Sequence, residues 1–173
     1  MAEYQLEPSP TRAGDQLHSD VPGYQRQFVS PDAPTSVTIN EYIKIGDFVY
    51  ENGVFSNDIS VGGDATYASR LARYVRTGEN ITFTISMSIN TIGTGSTTDI
   101  SGLPYAPLTA TAVVVSQLIS SATNVVSISG LIAALGTTIS LRSRTVASAS
   151  DATNAIFGNA TSIVISGSYV ANI

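Results

Sequence analysis

Only a few residues in this chain have the types and spacing to do chemistry. His18 is the single histidine of 173 residues and stands three positions after Asp15. A nucleophile–base–acid relay needs that imidazole on a rigid scaffold with an oriented partner. Prolines at 8, 10, 22, 31 and 34 break the surrounding segment, so His18 is not read as a catalytic base. Asn57, Asp58 and Asp64 flank Gly62-Gly63 in "NDISVGGD". Carboxylates so placed could hold a hard cation, but the spacing matches no calcium loop. Turn geometry explains the same residues. "TIGTGSTTD" has Gly93 and Gly95 without a following lysine, so it is not a phosphate cradle. Glycan cleavage needs two paired carboxylates, and the C-terminal half offers only Asp99 and Asp151. No catalytic residue, metal ligand or cofactor is assigned, and an enzyme is not expected.

Arg70, Arg73 and Arg76 form the densest positive cluster. They read as a solvated face, ion-paired locally to Asp64 or Glu79, or as a contact for an acidic partner surface or anionic glycan. Arg142 and Arg144 fall on one face of a strand by alternation.

Composition narrows the functional classes. Net charge is −5 and charged residues are 12% of the chain, about half the usual share. Serine and threonine supply about a quarter of the residues, so polarity comes from hydroxyls. Nucleic acid, which needs a basic stripe, is not an expected partner. There is no cysteine, which excludes disulfides and thiolate metal sites. "MAEYQLEPSP" has neither a basic start nor an apolar run, so no secretory signal is read there. The longest apolar candidate, "LTATAVVVSQLIS", is interrupted by Thr, Ser and Gln. A membrane partner is therefore not expected, and the protein reads as soluble.

Two zones divide the chain. Residues 1–36 are proline-rich with scattered apolar side chains (Tyr4, Leu6, Leu17, Val21, Tyr24, Phe28) and no periodicity. Alone, such a segment cannot offset its ordering entropy. It reads as an extended N-terminal arm lying on a partner, on its own domain or on a neighbouring copy.

Residues 37–173 read as strands. "ITFTISMSI" places Ile81, Phe83, Ile85, Met87 and Ile89 on one face and hydroxyls on the other. "SVTINEYIKI", "FVYENGVF", "LTATAVVV", "NVVSISG", "TTISLRS" and "SIVISGSYVA" continue the series. Asn52-Gly53 is a hairpin signal. "ATYASRLARYVR" places Tyr67, Leu71 and Tyr74 near one helical face and the three arginines near another, which predicts a short helix or an irregular loop. "GLIAALG" is too short to decide by period. The fold class is all-β, an antiparallel β-sandwich.

In "SGLPYAP", Pro104 and Pro107 remove two backbone donors and stop strand pairing. Gly102 permits a tight turn, and Leu103 and Tyr105 can turn inward as plugs. This reads as a structural corner between sheets.

Three segments carry a family resemblance. "YIKIGDFVYENGVFS" at 42–56 resembles a Y-x-K-I-G-x-x-V opening, and "ISGLPYAP" at 100–107 an I-x-G-L-P-F/Y corner. "SIVISGSYVA" at 162–171 resembles a closing I-x-I-S-G-x-Y strand. In this order they are similar to the C-terminal jelly-roll domains of trimeric surface proteins of tailed bacteriophages: head decoration proteins, head fibres and tail-fibre tips. Tyr105 departs from the commoner Phe, and the "ASRLARYVR" insert has no counterpart. The resemblance implies a jelly roll like that of tumour necrosis factor, assembled as a homotrimer. A fibre tip follows a long shaft, whereas the first 36 residues lack heptads. The expectation is therefore a virion protein that decorates and cements the capsid. Its partners would be its own copies and the major capsid protein, with assembly in the host cytoplasm. The alternative is a receptor- or glycan-binding head-fibre or tail-fibre tip. That reading would need a groove lined by tyrosines such as Tyr50, Tyr67, Tyr74 or Tyr169 and would make a host surface glycan a partner.

Overall fold

The computed structural model describes residues 37–45, 47–59, 64–146 and 154–173, together with the backbone of two short strands at 17–18 and 24–27. Among these residues every element is a strand and every pairing is antiparallel. No helix there is long and apolar enough to cross a membrane. The strands are β1 (Leu17–His18), β2 (Tyr24–Gln27), β3 (Val37–Ile45), β4 (Phe48–Phe55), β5 (Thr66–Thr77) and β6 (Asn80–Thr91). They continue with β7 (Asp99–Ser101), β8 (Thr111–Ile119), β9 (Ser127–Ile132), β10 (Thr138–Arg144) and β11 (Ser162–Val170). Their order across the sheet is β1-β2-β3-β4-β5-β6-β11-β8-β9-β10-β7.

The first six strands form a meander. The rest of the sheet curls over it, because β8 changes partner along its length. Thr111–Val113 pair with β9, while Val114–Ile119 pair with β11 across a register shift beside Ile165. A bulge of this kind bends a strand and raises its twist. Strands β7 to β10 lie in the order 7-10-9-8, three hairpin-connected strands with the fourth arriving by a longer connection. That is a Greek-key arrangement. The far edge then returns to the start: Asp58, just beyond β4, exchanges two backbone hydrogen bonds with Ser101 of β7 (3.0 and 2.7 Å).

Between the layers lies one core. The apolar face of β6 is its axis: Ile81, Phe83, Ile85, Met87 and Ile89 are all buried, and the intervening Thr82, Thr84 and Ser86 are exposed. Ile163, Ile165 and Tyr169 of β11 flank that row. Ile132, Ile139, Leu141, Ile100 and Val113 from the curled part pack on it, with Ile156 and Phe157 joining from the segment before β11. Complete burial of a side chain as large as Phe83 contributes about 1.5–3 kcal/mol, so this row outweighs any single polar contact.

The structure corrects two sequence expectations. Residues 66–77 are neither helix nor loop but the 12-residue strand β5. Ala72, Tyr74 and Arg76 point inward, and Leu71, Arg73 and Val75 point outward. Register shifts between Thr66 and Ser69 break the alternation at its start. Asn52-Gly53 is not a turn, because β4 runs through it. The chain reverses earlier, where Ile45 pairs with Phe48. Gly53 instead serves a close approach, since a Cβ there would collide with the Thr38 carbonyl oxygen and touch the Tyr74 ring. The adjoining register shift between Ile39 and Glu41 is the bulge that this contact accompanies.

Of the arm, β2 pairs with β3 (Tyr24 opposite Ile45, Gln27 opposite Tyr42) and β1 pairs with β2. Leu17 and Tyr24 thus lie in backbone ladders. Tyr4, Leu6, Val21 and Phe28 lie outside the described residues.

Candidate functional site

Alternation along β4 turns Val49, Glu51, Gly53 and Phe55 to the interior. Glu51 is therefore a carboxylate with no solvent exposure. Its Oε1 accepts hydrogen bonds from two phenols, those of Tyr105 (2.8 Å) and Tyr74. Its Oε2 faces Arg76 Nη1 at 4.0 Å. The Arg76 guanidinium also donates through Nε to the Gly78 carbonyl (3.0 Å) and lies 5.2 Å over the Tyr105 ring. Burial pushes the Tyr74 and Tyr105 hydroxyls well above their ordinary pKa, and the adjacent Glu51 carboxylate pushes further. Both phenols are locked as donors, and the carboxylate is closed off from any substrate. This arrangement ties strands together and does no acid–base work.

Its anchor is the corner after β7. Gly102 has φ +98°, and a Cβ on it would strike the Ser56 carbonyl. Gly102 and Leu103 both donate to the Thr137 carbonyl (3.1 Å each). Leu103, Pro104, Tyr105 and Pro107 are buried. Pro107 bridges Ala171, and the Tyr169 hydroxyl donates to the Tyr105 carbonyl (2.6 Å). The corner is the long connection of the Greek key. It crosses beneath the core with its tyrosine bonded to β4.

The three arginines are not one cluster. Arg70 pairs with Asp58 (3.1 Å) at the surface and lies over the Tyr67 ring, whose hydroxyl donates to the same carboxylate. Arg76 is buried against Glu51. Arg73, on the opposite face of β5, is exposed and makes no ion pair or hydrogen bond among the described residues. Asp64 and Glu79 are thus not the partners that the sequence suggested. Asp64 instead accepts from the Thr94 amide (2.6 Å) and hydroxyl (3.0 Å), which holds its carboxyl below the usual range. Tyr169, proposed as a groove residue, is a core residue, and Tyr74 is a core residue that also borders the groove across β4, β5 and β6.

One groove on the outer face involves residues the sequence did not single out together. It has a volume of about 620 Å³ and crosses β4, β5 and β6. Its outward lining is Tyr50, Asn52 and Val54 of β4, Arg73 and Val75 of β5, and Thr82 and Thr84 of β6, joined by Asn40, Gly53, Tyr74 and Phe83. Asn52 Nδ2 donates to the Tyr50 hydroxyl oxygen and to Glu41 Oε2, both at 3.2 Å. Alternation places the outward-lining side chains on that face once the strands are known, but only the pairing of three strands brings them together.

The outer face as a whole has a further property. Across β5, β6, β11 and β8 it consists of Ser, Thr, Asn, Gln and aliphatic side chains, and Arg73 is its one charge. Val114 and Ile119 on β8 are 64% and 50% exposed, and Leu71, Val75 and Val170 are also exposed.

The fold and site define an all-β protein built on an antiparallel Greek-key sheet, with its buried polar cluster closed to solvent. No family model matches the chain, and no curated protein or solved structure is significantly similar to it. The phage resemblance is carried by the three sequence motifs alone.

Proposed function

We propose that this chain is a structural virion protein of a tailed bacteriophage, a capsid decoration protein that cements the head surface. It would sit there as a homotrimer with the TNF-like jelly-roll fold. Its N-terminal arm, residues 1–36, of which Tyr24–Gln27 pair with β3 of the same chain, would reach from that sheet edge onto the major capsid protein. The observation that carries this reading is the charge-poor outer face, on which Arg73 is the one charged side chain. A sheet face meant for water carries charges, whereas interface centres are depleted of them and rich in apolar area. Exposed Val114, Ile119 and Val170 among hydroxyls suit burial against identical copies.

Two features support the finer fold. Strands β6-β11-β8 and β9-β10-β7 are consecutive stretches of one curled sheet, and the chain passes between them at β6 to β7, β7 to β8, β8 to β9 and β10 to β11. Jelly rolls are built from such Greek keys. The motif segments also fall on β3–β4, on the buried corner and on β11. Three weak arm contacts tied to one rigid body act at high effective concentration, so such a clamp needs no chemistry.

Shells lacking the protein provide the test. Added full-length chain should bind them and raise their disruption temperature, and a chain lacking residues 1–36 should lose that binding. Full-length protein that leaves shells unbound and their disruption temperature unchanged would contradict the cement role.

A further inference from the structure

We infer that the groove across β4, β5 and β6 is a binding site for an acidic sugar, a uronic or nonulosonic acid residue of a glycan. This rests on the groove alone and stands independently of the virion role.

Charge selects the ligand. Of the three arginines on β5, Arg70 is matched by Asp58 and Arg76 by Glu51, while Arg73, which lines the groove, has no ion-pair partner among the described residues. Among the described residues no carboxylate is in the lining itself, and Glu41 stands behind Asn52. In a chain of net charge −5, an unpaired guanidinium facing a concave surface favours one anionic group at that place. Its planar fork binds a carboxylate through two parallel hydrogen bonds.

The remaining lining suits a sugar ring better than a peptide. Half-buried Tyr50 offers an aromatic ring against which the C–H face of a pyranose can lie. Thr82 and Thr84 add two hydroxyls on neighbouring outward positions of β6, each able to donate and accept. Asn52 is already oriented. Its amide nitrogen is committed to Tyr50 and Glu41, which leaves its carbonyl oxygen as an acceptor and the Tyr50 O–H as a donor. Val54 and Val75 add apolar side chains beside Arg73 and Asn52. The groove lies at the β4–β5 side of the outer face, two strands removed from the Val114–Ile119 strand β8.

Calorimetric titration of the full chain with matched acidic and neutral saccharides is the test. The pairs are 3′-sialyllactose against lactose, and trigalacturonic acid against its methyl ester. At least one acidic member should bind, its neutral partner should bind about tenfold or more weakly, and Arg73→Gln should lose a similar factor. Tyr50→Ala should weaken binding as well. Thermal unfolding of each variant separates loss of binding from loss of fold, and since both residues are on the outer face the folded state should persist. Absence of binding by both acids at millimolar concentration would overturn the assignment. So would equal binding of neutral partners, or binding undiminished in Arg73→Gln. An Arg73→Gln chain that changed only its oligomeric mass would make the groove a contact between copies instead.

Discussion

The hydroxyl of Tyr105 donates a 2.8 Å hydrogen bond to the Glu51 carboxylate, joining residues 54 positions apart. One end of that bond lies in the proline-rich corner and the other at the centre of β4. With Arg76 beside the same carboxylate, the bond fixes how the curled part of the sheet sits on the meander.

Removing parts of this cluster should therefore have unequal effects. Arg76→Met leaves Glu51 buried and unpaired and should destabilise by about 3–5 kcal/mol. Tyr105→Phe removes one of two phenol donors and should cost about 1–3 kcal/mol. Adding Glu51→Gln to Arg76→Met should restore part of the loss, because the uncompensated charge disappears. Urea unfolding of the single and double variants measures the coupling, and strict additivity would show that Glu51 and Arg76 do not interact.

Alkaline pH should unfold the protein cooperatively. Burial raises the phenols of Tyr74, Tyr105 and Tyr169 above their ordinary value of about 10. The folded state therefore holds protons that the unfolded state releases. This stability is complete below pH of about 10 and is lost as pH rises further, towards the raised folded values. Tyrosinate absorbance should accordingly rise in two stages, exposed phenols first and the buried three together with loss of the circular dichroism signal.

Much of the fold was legible in the alternation of β6, because five inward apolar residues and the intervening hydroxyls fit only a half-buried strand. β5 was not legible. Its inward Arg76 and outward Leu71 and Val75 invert the usual polarity, and the early register shift breaks the period. Glu51 was hidden for a related reason: an acid on an inward position is tolerable only through Tyr74, Tyr105 and Arg76, which lie 23, 54 and 25 residues away. The groove needed three strands in register before Tyr50, Arg73 and Thr82 could meet. Asn52-Gly53 misled because a turn dipeptide also suits a bulge where backbones approach closely.

Gly53→Ala should test that last point. Its methyl would meet the Thr38 carbonyl across the β3–β4 pair, and overpacking of this kind costs about 1–3 kcal/mol. A hairpin-turn role would make the same change a matter of backbone conformation alone, so an alanine variant as stable as the native chain would contradict the close approach. Thermal unfolding distinguishes the two.

The surface tie between Asp64 and Thr94 should respond to acid. Hydrogen bonds from the Thr94 amide and hydroxyl lower the Asp64 pKa below 3.8. Its contribution is present above that value and is lost as pH falls through the lowered folded pKa. Protection of the Thr94 amide against hydrogen exchange, taken relative to its intrinsic rate at each pH, should hold at pH 5 and fall only below about pH 3.8. Asp64→Asn should abolish that pH dependence.

The charge-poor outer face is the centre of the proposed function, and sedimentation equilibrium of the full chain tests it most directly. A mass three times the 18.0 kDa of one chain is expected, falling to the monomer for Val114→Lys with its strand content unchanged, because a buried lysine without a partner opposes association. A native chain that sediments as a monomer, or a Val114→Lys chain that stays trimeric, would contradict assembly through this face.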